Sequence, residues 1–132
     1  MKKLITDKTL TAFEKWFYEK YGNCSKKYEE LLNWQKAEIM DWIFNACETI
    51  QHAFLIEFFL DNEMFILINP IDSYDSWMFT ILGKDITSPF FEYFDSCKEE
   101  LEFETKIETT IKAIQIADEI FNNNVNGSIR QN

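Results

Sequence analysis

Glycine and proline are scarce in this chain, at 3 and 2 of 132 residues. That scarcity excludes collagen-like and low-complexity architectures and argues against a loop-rich sandwich. Histidine and arginine occur once each, as His52 and Arg130, and cysteine three times, as Cys24, Cys47 and Cys97. An odd count with no CxxC spacing argues against a disulfide framework, and one imidazole is too few for a common zinc site. Reduced thiols in a cytosolic setting are the plain expectation. There is no GxGxxG and no Walker loop to cradle a phosphate, and no EF-hand loop for calcium. Long apolar runs are also missing: Ala53–Leu60 and Met64–Ile68 fall far short of a membrane span. The start, Met1-Lys2-Lys3-Leu4-Ile5-Thr6-Asp7, lacks the apolar stretch of a signal peptide. The expectation is a soluble, cytoplasmic protein without metal or cofactor.

What is present is apolar and acidic. Residues of the apolar class make up 46%, aromatics 17%, with 13 Phe alone. Disordered chains lack the apolar area to offset ordering entropy, so a core is expected. The net charge is −10. Bare nucleic acid and anionic membranes repel such a chain, whereas a protein with a basic surface attracts it. The charge is uneven: residues 1–36 carry +3 and residues 37–132 carry −13.

Apolar periodicity predicts the elements. Leu10, Phe13, Trp16, Phe17 and Tyr21 share a helical stripe, with Thr6 or Asp7 as cap and Gly22 as left-handed stop. Tyr28, Leu31, Leu32, Ile39, Trp42, Ile43, Ala46 and Ile50 continue at helical spacing, with a break at Asn33. Ala53–Leu60 (AFLIEFFL) and Met64–Asn69 (MFILIN), separated by Asp61-Asn62-Glu63, read as a Phe-rich hairpin. Trp77–Leu82 reads as a third strand. Ser88-Pro89 opens either a short helical turn over Phe90, Phe91 and Phe94 or an edge strand. Leu101 and Phe103 alternate with Glu100, Glu102 and Glu104, which predicts a short edge strand with one wet face. Thr105 and Glu108 have capping-box spacing, and Ile107, Ile111, Ile114, Ala117 and Phe121 form the stripe of a last helix over 106–122. The prediction is one α+β domain over residues 1–124 with a disordered tail over 125–132. It is a three- to four-stranded antiparallel meander with two or three helices on one face, in the order α-α-β-β-β-(β)-α.

Ile39-Met40-Asp41-Trp42-Ile43-Phe44-Asn45-Ala46 precedes the Phe-rich hairpin, and a Thr105-capped helix closes the chain with Ala117-Asp118-Glu119-Ile120-Phe121-Asn122. In this element order the chain resembles small acidic proteins of bacterial phages and prophage-like elements. That group carries no agreed activity, so the resemblance implies no site residue.

No catalytic constellation stands out. His52 is read as a partly exposed strand-end residue, since no ligand or nucleophile stands at a fitting spacing. Cys47 falls on an apolar helix face and reads as core, while Cys24 and Cys97 lie in polar stretches. Asp72 and Asp75 flank Tyr74 in a polar connection and read as a solvated turn. Trp16, Trp34, Trp42 and Trp77 sit at core spacing. The sharpest feature is the acidic run Glu99, Glu100, Glu102 and Glu104. It serves either as a charged edge against strand pairing or as a surface for a basic partner. Together these features suggest a non-enzyme that binds another protein. Its most concrete form is a stoichiometric inhibitor covering a basic cleft, either a toxin-immunity protein or a phage-borne antagonist of a host nuclease. The rivals are a homodimerising module built on exposed aromatics and, less favoured, a carboxylate-dependent enzyme.

Overall fold

The computed structural model describes residues 4–22, 25–71, 76–84 and 90–124. Cys24, Asp72, Tyr74, Asp75, Ser88, Pro89 and the segment 125–132 lie outside the described residues. The elements are α1 (Asp7–Tyr21), a 3₁₀ turn (Tyr28–Glu30), α2 (Asn33–Phe44), α3 (Glu48–Asp61), β1 (Met64–Ile71), β2 (Ser76–Gly83), β3 (Phe91–Asp95) and α4 (Lys106–Asn124). The class is α+β, as expected. Three helices, not two, precede an antiparallel sheet of order β1-β2-β3.

The extra helix is the main correction. Ala53–Leu60 is the body of α3 and not a strand. An apolar run without alternation fits a buried strand and a buried helix equally well, and here the helical spacing decides. Gln51, His52, Leu55, Phe58 and Phe59 form its buried side, while Ala53 and Leu60 are exposed. Asn62 ends it, its side-chain amide donating to the Phe58 carbonyl at 2.8 Å. Glu63, with φ of 61°, turns the chain into β1. The hairpin is therefore β1 with β2, in a register that sets Met64 against Gly83 and Ile71 against Ser76.

Period-two alternation places Met64, Ile66, Ile68, Phe79 and Ile81 on the sheet face that α3 and α4 cover. β3 settles the open reading around Phe90 as a strand, with a bulge that makes Tyr93 the extra residue. Both Tyr93 and Phe94 then pack against the core. Gly83 is where the Phe91 and Tyr93 rings close over the sheet: a Cβ there would stand 2.6 Å from Tyr93 Cε2.

Two further expectations fail locally. Leu101–Phe103 makes a single bridge, Phe103 with Trp77, and no strand. Turn chemistry wins just before it. Asp95 Oδ1 accepts from the Cys97 amide, the Leu101 amide donates to the Ser96 carbonyl, and Glu100 has φ of 57°. Gly22 is extended, at φ −86°, and not left-handed. Its glycine identity answers to close approach, since a Cβ would lie 2.6 Å from the Tyr18 carbonyl oxygen.

The last helix is close to its expected bounds. Glu108 N donates to Thr105 Oγ1 at 3.1 Å, the expected cap. Ala113, Ile114, Ala117 and Phe121 are buried, but Ile107, assigned to the same stripe, is 57% exposed. It lies in the first turn, before the helix has reached the core. The start of α1 is capped by α4 and not by its own residue. The Thr6 amide and hydroxyl both donate to the Asp118 carboxylate, at 2.9 and 3.0 Å, and the Thr9 amide donates to Asn122 Oδ1 at 3.0 Å. Among the described residues no helix is long and apolar enough to cross a membrane.

Candidate functional site

Phe17, buried on α1, starts an aromatic stack that reaches the surface. Its ring stacks on Trp42 of α2, with centroids 6.2 Å apart and planes 14° apart, and meets Phe54 of α3 edge-on at 5.4 Å. Phe54 in turn meets Trp42 at 5.7 Å and Tyr21 at 5.2 Å, both near 89°. Edge-to-face pairs of this kind fix ring orientation and add to area burial. The outer members are wet: Trp42 is 56% exposed and Tyr21 49%. Ile50, one turn before Phe54, is exposed as well, and Trp34 continues the α2 row Trp34-Glu38-Trp42 at 62% exposure. Sequence spacing assigned Trp34 and Trp42 to the core. The α2 side chains buried in it are Met40 and Ile43, with Ile39 and Phe44 half-buried against it, because α2 carries two apolar stripes and only one can face inward.

A charged clamp borders the patch. Lys20 Nζ lies 2.7 Å from Glu57 and 2.6 Å from Asp61. Tyr21 Oη donates to Glu57 at 2.5 Å, and Trp16 Nε1 donates to Asp61 at 2.8 Å. The bonds from Lys20 hold both carboxyls below their ordinary range, helped by Tyr21 at Glu57 and by Trp16 at Asp61. The same carboxylates push the Lys20 ammonium upward, Asp61 first. The Tyr21 hydroxyl is raised chiefly by its bond to Glu57. Tyr21 is thus fixed by its ring contacts and by its hydroxyl.

The electrostatics of this surface are one-sided. From residue 37 to residue 83 the sequence holds eight acids and no Lys or Arg. Trp42, Ile50 and Phe54 all lie in that stretch, with Glu38, Asp41 and Glu48 exposed beside them in sequence. Lys20, the cation contributed by α1, is already matched by two carboxylates.

Glu99, Glu100, Glu102 and Glu104 are all exposed. The bridge from Phe103 to Trp77 sets this run on the side of β2 away from β1, whereas the aromatic patch is built on α1, α2 and α3. Glu102 accepts from Ser76 Oγ at 3.4 Å.

The other candidates divide. Cys47 is exposed at the N-cap of α3, a correction to its core assignment, because the break at Asn45-Ala46 ends the helical phase that pointed it inward. Cys97 is exposed, its Sγ 3.6 Å from Met78 Sδ. Among the described residues no group of three His, Cys, Asp or Glu side chains converges on a metal-sized site.

His52 is buried in α3 and not a strand-end residue. Burial pushes its imidazole below the ordinary value of 6.5, against the opposing charge of Glu48 one turn earlier. Above pH 6.5 both folded and unfolded chains hold it neutral. Below 6.5 the unfolded chain takes up a proton that the folded chain refuses, so stability falls as the pH drops toward the folded value. The expected result is a melting temperature that declines from pH 7 to pH 5.5 in the wild type and much less in His52→Gln. Equal declines would assign the effect elsewhere.

No protein-family model, curated protein or solved structure matches this chain.

Proposed function

We propose that this chain is an acidic protein-binding domain that docks through Trp42, Tyr21 and Phe54 onto a partner with a basic surface. The observation that carries the proposal is the immobilised, exposed aromatic patch, whose α2 and α3 members lie in a stretch of sequence with no Lys or Arg. Exposed Trp and Tyr held by their neighbours suit interface anchors, since little side-chain entropy remains to be lost on binding. Surrounding carboxylates favour a basic partner over an acidic one and raise the encounter rate. The most concrete role is stoichiometric inhibition: covering a basic cleft of a target, as an immunity protein or a phage-borne antagonist of a nuclease would.

The test is capture from lysate at low salt, identification of the retained protein, and kinetics with the purified pair. Trp42→Ala should weaken the complex by about 30-fold, the equivalent of about 2 kcal/mol for an anchor residue. Reversing Glu100, Glu102 and Glu104 to Lys should slow association at low salt and much less at high salt, as screening removes long-range attraction. A Trp42→Ala variant that binds like the wild type would remove the patch from the interface.

A second reading, a homodimer, is favoured by β1. This edge strand runs eight residues from Met64 to Ile71 without a charge, and Leu67 on its uncovered face is exposed. The other edge, β3, carries Glu92 and Asp95. A molecular mass that rises with concentration in the absence of any partner would support this reading over the first.

A further inference from the structure

By the 3.6-residue period, α1 presents Lys8, Thr11, Ala12 and Lys15 on the side opposite Phe13, Phe17 and Tyr21. That side is one wall of an open groove of about 770 Å³, whose other wall is Tyr28, Glu29 and Lys36. The volume lies within the roughly 300–1,000 Å³ of small-molecule sites.

Tyr28 is 7% exposed, and its hydroxyl donates to Glu14 at 3.0 Å. Lys36 Nζ stands 4.6 Å from the centre of the Tyr28 ring, a cation–π contact. Lys15 Nζ is 2.5 Å from Glu29. Three of the chain's twelve lysines thus converge on an apolar floor formed by Ala12, the Tyr28 ring and their own methylene stems. The lining holds three cations against two carboxylates, Asp7 and Glu29. With Glu14, which holds the Tyr28 hydroxyl, the groove is close to charge-balanced in a molecule of net charge −10.

We infer that this groove binds a small organic anion: a carboxylate, sulfonate or phosphate head on a flat apolar body. The head competes with Glu29 for Lys15 and also meets Lys36. The body lies on Ala12 and Tyr28. Neither half suffices alone. A bare anion gains only solvent-screened charge, and an uncharged body gains nothing from the lysine charges.

The probes are 8-anilinonaphthalene-1-sulfonate, its uncharged analogue N-phenyl-1-naphthylamine, and inorganic sulfate, titrated into the wild type and into Trp42→Ala. The sulfonate dye should saturate at one site per chain, about tenfold or more tighter than the uncharged analogue. It should bind equally in Trp42→Ala, which removes the other exposed aromatic surface. Lys15→Ala and Lys36→Ala should each weaken it about fivefold or more, and Lys36→Arg should retain it, since a guanidinium keeps both the charge and the ring contact. Sulfate should compete only weakly. Equal affinity for the charged and uncharged dyes would overturn the inference. So would unchanged affinity in the Lys15→Ala/Lys36→Ala double variant, loss of binding in Trp42→Ala, or the absence of saturable binding.

Discussion

Phe58→Ala should lower the unfolding free energy by about 3–5 kcal/mol, the range for emptying an aromatic site in a packed core. Phe58 is 1% exposed and joins three helices. Its ring meets Phe13 and Trp16 of α1 at 5.5 and 5.6 Å, Phe59 of its own helix at 5.2 Å, and Phe121 of α4 at 5.4 Å. The substitution removes the transfer energy of the ring and leaves a cavity bounded by other aromatic rings, which relax poorly. A small domain has only about 5–15 kcal/mol in all, so the variant should melt far below the wild type and approach unfolding at moderate denaturant. Chemical denaturation followed by far-ultraviolet circular dichroism checks this. A loss below about 1 kcal/mol would mean that the three helices are not coupled through this ring.

Asp118→Ala should cost about 2–4 kcal/mol through hydrogen bonding, a different mechanism. Asp118 is 6% exposed, near the end of α4, and its carboxylate accepts from the Thr6 amide, the Thr6 hydroxyl and the Asn122 side chain. It supplies the negative charge that the start of α1 favours, from a residue 112 positions away. Alanine leaves those donors without their acceptor and uncouples the first helix from the last. Asp118→Asn keeps one carbonyl oxygen and should cost roughly half as much. Equilibrium unfolding gives the totals. Hydrogen exchange should show early loss of protection at the first turn of α1 in Asp118→Ala, with α3 and β2 less affected.

The elements that sequence reading found correctly have one wet side. α1 and α4 alternate apolar and polar residues at a period of 3.6, and the Thr105 cap bonds where its spacing said it would. α3 failed because its exposed side is apolar as well, with Ala53 and Leu60 in water, so Ala53–Leu60 shows no hydropathy period. The acidic run was correctly read as exposed, since clustered carboxylates have no other low-energy place. Its strand geometry was not, because Asp95 and Ser96 bond their own neighbouring backbone and bend the chain before it can pair. The aromatic patch was missed for a simpler reason. Trp34 and Trp42 share a helix with Ile39, Met40 and Ile43, and an aromatic residue at helical spacing looks the same whether its stripe faces inward or outward. The one signal that pointed to it, the absence of any cation between residues 37 and 83, concerns charge and not periodicity.

Composition and spacing by themselves determined the α+β class, the last helix with its cap and the acidic balance. These depend on local geometry and on charge, which any folded state of the chain must express. The tertiary structure alone decided that the Phe-rich segment is a helix, that Asp118 caps α1, that Trp42 faces water while Ile107 leaves the core, and that three lysines share a groove. Each of these depends on which of several possible apolar surfaces is covered first. That choice is made by packing between elements far apart in the chain, where the free energy is set by shape and burial and not by the pattern within any one segment.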